Sequence, residues 1–114
     1  MMSKVLFLII SGEKDKDKAD LGIATASRAI EKNRYEDVKV LFYGASEGYI
    51  LKLDDQIKDH FDKLIKANAV DSACIGIAKI YNVEEQLKKL GVVLLPAGEQ
   101  ISHYVNNGYV VLSF

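Results

Sequence analysis

One cysteine, one proline and no tryptophan occur among 114 residues. The single thiol, Cys74, excludes an internal disulfide and a zinc cage built from cysteines. It also fits a reducing compartment. A strong charge of either sign is missing too: the net charge is −1. Nonspecific nucleic-acid binding draws on a basic footprint, so that class is set aside. No apolar run approaches the roughly 20 residues that a membrane helix needs. The first apolar run, Val5 to Ile10, is short, has no small-residue cleavage site, and meets Glu13 and Lys14 at once. It reads as a buried strand rather than a signal peptide. What remains is a single cytoplasmic domain, 49% hydrophobic and 27% charged, with enough apolar residues for a substantial core.

The apolar residues set the order of elements. Lys4 to Ile10 is nearly continuous, as in a strand buried on both faces, and Ser11-Gly12 ends it. Residues 13–18 alternate in charge and read as a solvated loop. Asp20 is the expected cap of a helix from Leu21 to Asn33, whose inward residues Ile23, Ala24, Ala26, Ala29 and Ile30 are mostly small. Val38 to Tyr43 is a second strand, followed by a loop holding Gly44, Ser46, Glu47 and Gly48. Ile57, Phe61, Leu64 and Ile65 recur at helical spacing, and that helix stops near Asn68.

Val70 to Cys74 is the third strand. Ile75 to Tyr81 is a short helix that Asn82 can end, because asparagine tolerates the left-handed conformation. Val83 to Leu90 is helical and Gly91 stops it. Val92 to Leu95 is a fourth strand, Glu99 to Asn106 a short helix, and Tyr109 to Phe114 a fifth strand. Asn107-Gly108 marks a helix C-terminus rather than a hairpin. Strands that alternate with helices imply an α/β fold, a parallel sheet covered on both faces. The loops after its strands gather at one rim, the default place for a site in such a fold.

That rim carries Gly12, Gly44, Glu47, Cys74, Gly76, Gly98 and Glu99. Cys74 is the candidate catalytic residue. At a strand end just before a helix, a thiol sits near the positive end of a dipole that favours thiolate. The competing reading is a small hydrophobe in the core. Candidate binding residues around it are Gly12, Tyr43, Gly44, Gly76, Lys79, Gly98 and Glu99. Lys79 either favours thiolate and attracts an anionic sulfur donor or is simply solvated. Glu99 either orients a ligand or favours a helix N-terminus. Tyr43 and Tyr81 also read as packing residues. His60 reads as a boundary residue, and the relation of His103 to Cys74 is not legible from spacing. The first strand is followed by neither a phosphate loop nor G-x-G-x-x-G, which argues against nucleotide binding. A response-regulator receiver would need acidic residues after the first strand and an aspartate ending the third, where Ser11-Gly12 and Cys74 stand.

Two stretches together resemble a known family. Ser72-Ala73-Cys74-Ile75-Gly76-Ile77-Ala78-Lys79 with Asn82-Val83, and Gly91-Val92-Val93-Leu94-Leu95-Pro96-Ala97-Gly98 leading to Asn107-Gly108-Tyr109-Val110-Val111-Leu112-Ser113-Phe114, resemble the DsrE/DsrF-like family. The resemblance spans the whole chain. It implies a three-layer α/β/α sandwich with a five-stranded parallel sheet, and homo-oligomers, often trimers or hexamers. It implies a sulfur-carrier role in which Cys74 takes up sulfane sulfur as a persulfide and passes it to a partner's thiol, with donor and acceptor proteins as partners and no metal or organic cofactor. Asn82 departs from the glycine usual there. No second cysteine is present to resolve a persulfide internally, so transfer would be intermolecular. The alternatives are a non-catalytic oligomeric module that binds a small ligand or a protein, and a thiol-based redox sensor.

Overall fold

The structure is a computed structural model and describes residues 2–114. Five parallel strands, β1 (Lys4–Ile9), β2 (Asp37–Phe42), β3 (Val70–Cys74), β4 (Leu94–Leu95) and β5 (Tyr109–Ser113), lie in the order β4-β3-β2-β1-β5. Six helices connect them: α1 (Lys16–Glu31), α2 (Ser46–Tyr49), α3 (Asp55–Lys66), α4 (Ile75–Tyr81), α5 (Glu84–Lys89) and α6 (Ala97–Asn106). Short 3₁₀ turns precede α1 (Glu13–Asp15) and follow α2 (Ile50–Lys52). The result is the expected three-layer α/β/α sandwich.

Side chains alternate across each strand, so β1, β2 and β3 feed both layers. Val5, Phe7 and Ile9 of β1 and Val38, Val40 and Phe42 of β2 face one side, where Ile23, Ala26 and Ala29 of α1 and Phe61 and Leu64 of α3 cover them. Fully burying Phe7, Phe42 or Phe61 contributes about 1.5–3 kcal/mol each. The alanines of α1 let that helix lie close on the sheet. On the other side Leu6, Leu41 and Cys74 meet Ala97 and Tyr104 of α6, with Leu8, Tyr43, Ile77, Ile101 and Val111 partly buried around them.

A register shift decides which side Cys74 faces. Val40 pairs with Val70, but Leu41 pairs with Ser72, so Asp71 is an extra residue in β3. A shift of one residue exchanges the two faces of a strand. Val70 and Ala73 therefore both join the α1/α3 layer, and Cys74 turns to the α6 side. Without the bulge Cys74 would point beneath α1 and α3.

Four boundaries differ from the sequence reading. Residues 13–18 are not a loop: a 3₁₀ turn and the first turn of α1 occupy them. Their charges all face water, which masks helical periodicity, while Asp17 in the first turn suits the helix dipole. Asp20 is inside α1 and does not cap it; its carboxylate accepts a 2.6 Å hydrogen bond from the Tyr49 hydroxyl. The loop after β2 contains α2, too short to show a period. The Val92–Leu95 run splits: Val92 donates its N–H to Leu87 at the end of α5, and only Leu94–Leu95 forms β4. Asn82 does take the left-handed conformation (φ 57°), and Gly108 (φ 81°) follows the end of α6.

Candidate functional site

At the carboxyl edge of the sheet, β2 stops at a turn that only glycine adopts easily: Gly44 has φ 83°. The turn is fastened to β1. Ser46 donates its hydroxyl to the Ile9 carbonyl (2.6 Å) and its N–H to the Ile10 carbonyl (3.1 Å), and its oxygen accepts the Tyr43 N–H (3.2 Å). Gly12 closes the same place from the other side. A Cβ there would stand 2.5 Å from the Ala45 carbonyl oxygen, so Gly12 serves a backbone contact.

This clamp pushes Glu47 inward. Glu47 is 0% exposed, the one fully buried acidic side chain among the described residues. Its Oε2 accepts the Gly44 N–H at 3.1 Å, and Oε1 has no hydrogen-bond partner. In β3 the Ala73 N–H points to β4, where it meets the Val93 carbonyl at 2.9 Å. Successive N–H groups alternate sides, so the Cys74 N–H points back toward β2. Beyond the end of β2 the Glu47 carboxyl takes that place. Burial raises the Glu47 carboxyl to about 7, against the pull of the Gly44 and Cys74 N–H groups, which favour the ionised form.

Cys74 is the last residue of β3 and directly precedes α4. It is 9% exposed. Gly76 is exposed, and a Cβ on it would lie 4.0 Å from Cys74 Sγ, so the glycine leaves the space over the sulfur open. Tyr43 and Ile77 share the apolar cluster of Cys74. Lys79 is exposed on α4 and makes no ion pair among the described residues. Gly98 and Glu99 are exposed in the first turn of α6, next to Ala97, which touches the same cluster. Of the glycines, Gly76 thus stands beside the sulfur, Gly44 packs against Ile10, and Gly12 lies behind α2.

The histidines lie elsewhere. His60 is half-buried with Nδ1 3.0 Å from the Ser27 hydroxyl, and exposed His103 packs edge-on against Tyr104. No described cluster of three His, Cys, Asp or Glu is placed to hold a metal ion. An open cavity of about 520 Å³ lies between Glu13, Tyr49, Lys52 and Tyr81, and Cys74 does not line it.

Two features escape sequence reasoning. Glu47 was visible on the rim, but a glutamate between Ser46 and Gly48 carries no mark of burial. Its one signal is the Gly44 turn, which folds the chain back on itself. The other is Asp71, whose carboxylate accepts from Tyr104 Oη (2.6 Å), Ser72 Oγ (2.8 Å) and Gln100 Nε2 (3.0 Å) and so ties α6 to the bulge.

No helix among the described residues is long and apolar enough to cross a membrane. No curated protein matches the chain. Among solved structures it is similar to a conserved protein of unknown function from Bacteroides thetaiotaomicron, with a TM-score of 0.77 and 18% identity, covering 96% of this chain and 94% of that one. That likeness is one of fold. The DsrE/DsrF-like family model matches residues 3–114. The chain belongs to the DsrE/DsrF-like family.

Proposed function

We propose that the protein is a cytoplasmic sulfur carrier in which Cys74 holds sulfane sulfur as a persulfide and passes it to a partner's thiol. The observation that carries this reading is the placement of the one thiol. The Asp71 bulge turns Cys74 out of the main core, and β3 ends on it at the rim, under the open space left by Gly76. Family membership supports the same chemistry. In loading, the Cys74 thiolate attacks the outer sulfur of a donor persulfide, and the donor's inner sulfur leaves as a thiolate. In delivery, an acceptor thiolate attacks the outer sulfur on Cys74, and Sγ leaves with the electron pair. With one cysteine per chain, delivery is intermolecular. Exposed Lys79 would meet an anionic donor or acceptor.

A homo-oligomer, trimer or hexamer, is part of this proposal. Only α6 and part of α4 cover the Cys74 side of the sheet, and Leu8, Tyr43, Ile77 and Val111 stay partly exposed there. Covering them with a second copy removes apolar surface from water.

Loading the protein with polysulfide, removing the excess and adding a small thiol tests the reading. Release of about one sulfide per chain is expected from wild type, and none from Cys74→Ala. Equal release from both overturns it. The low exposure of Cys74 favours a second reading, a non-catalytic binding module on the same scaffold. A Cys74 that resists thiol reagents in the native protein supports that reading.

A further inference from the structure

The sulfur-carrier reading leaves one buried group unused. Glu47 is fully buried, one of its oxygens has no partner, and its carboxyl occupies the gap at the end of β2 toward which the Cys74 N–H points. A buried polar atom without a partner is costly and rarely kept without a use. The α2 clamp is what holds it there: Ser46 ties the turn to the end of β1 by two hydrogen bonds and closes the turn by accepting the Tyr43 N–H, and Gly44 supplies the turn and one N–H.

We propose that Glu47 is a positioning residue for Cys74, whose charge state sets how readily negative charge forms on the Cys74 sulfur. Neutral Glu47 tolerates a thiolate at the end of β3. Ionised Glu47 opposes it, because a second negative charge would then form on the very residue whose N–H points at its carboxyl. This deepens the sulfur-carrier reading and rests on it. When an acceptor thiolate takes the outer sulfur, the Sγ–S bond breaks and the electron pair stays on Sγ. A neutral Glu47 admits that charge without any further reactant.

The surroundings leave Glu47 free to act this way. Burial raises its carboxyl, and the Gly44 and Cys74 N–H groups pull the other way. Of the titratable groups on adjoining elements, Lys79 and Tyr81 of α4 are exposed, Tyr43 at the end of β2 is half-buried, and Tyr49 turns its hydroxyl to Asp20. Titration of the carboxyl at about 7 puts the change of charge state within the neutral range.

The test is the pH dependence of Cys74 alkylation by iodoacetamide in wild type and Glu47→Gln. Glutamine keeps the shape and the carbonyl acceptor and removes the titration. In wild type the logarithm of the rate should flatten as pH rises through about 7 and then climb again, the signature of two coupled groups. In E47Q it should rise without that step, and the rate at pH 8 should exceed wild type by about tenfold. Superimposable profiles overturn the proposal, and so does a thiol that reacts at no pH.

Should E47Q not fold, the carbon-13 carboxyl resonance of Glu47 gives the answer in other chains. In wild type it should move a second time as the thiol ionises, and in Cys74→Ser that movement should be gone. Identical titrations in the two chains contradict the coupling. Iodoacetamide delivers no sulfur, so superimposable profiles with intact sulfur uptake remove the role of Glu47 alone. A flattened profile in a chain that takes up no sulfur removes the carrier reading alone.

Discussion

Asp71 and Glu47 are carboxylates at the two ends of the same short strand, and their surroundings are opposite. Asp71 occupies the bulge that starts β3, half-buried, with hydrogen bonds from Tyr104, Ser72 and Gln100. Burial and the bond to Asp71 hold the Tyr104 hydroxyl well above the ordinary tyrosine range, so it stays a donor. Glu47 lies at the carboxyl end, fully buried, with one oxygen bonded to Gly44, no hydrogen-bond partner for the other, and the Cys74 N–H pulling on the carboxyl. A carboxylate whose acceptors are filled fastens structure. One with an empty acceptor, at the end of a strand that stops on a thiol, is the group we propose acts on that thiol. The bulge end of β3 is scaffold, and it aims the Cys74 end.

Four changes break or sharpen that contrast. Cys74→Ala has the largest effect on function: sulfur uptake falls to zero by intact mass, while urea melts shift by no more than about 1 kcal/mol, because the side chain is small and sits at the rim. Glu47→Gln has the largest effect on stability. The folded chain keeps the Glu47 proton up to about pH 7, whereas an unperturbed glutamate loses it near 4.5. Between those values the native state binds more protons than the unfolded one. The group's favourable contribution is therefore complete below about 4.5 and is lost as pH rises to about 7. The full difference amounts to about 3 kcal/mol. Urea melts at pH 4.5 and 8 should show wild type losing more stability over that interval than E47Q. Equal losses would contradict a buried, proton-holding Glu47.

At the scaffold end, Tyr104→Phe removes one donor to Asp71 and should cost about 1–2 kcal/mol with the Glu47-dependent pH slope unchanged. A lost slope in that variant would mean that the two ends of β3 are not separate. Lys79→Ala is the mildest. As an exposed side chain without an ion pair, it should change stability by less than about 0.5 kcal/mol and act, if at all, on the rate of uptake from an anionic donor.

The alternation of strands and helices, and with it the parallel sheet, was legible because β1 and β2 are short apolar runs and α3 carries a clear helical period. Asn82 announced the end of α4 through its tolerance of a left-handed backbone. The bulge was not legible. Val70-Asp71-Ser72-Ala73-Cys74 reads equally well with Cys74 on either face, and only pairing with β2 places the extra residue. The burial of Glu47 was hidden for a related reason: hydrogen bonds from α2 to β1, distant in sequence, create it. Charge deceived at residues 13–18, where a helix start packs nothing and shows no apolar stripe.

The central claim is that the single thiol at the end of β3 carries sulfur. The most direct measurement is the intact mass of the folded protein after exposure to polysulfide or a persulfidated donor, followed by peptide mapping. The account predicts an added mass of about 32 Da, one sulfur, confined to the peptide containing Cys74 and reversed by a reducing thiol. A folded chain that gains no such mass from any of these donors contradicts it.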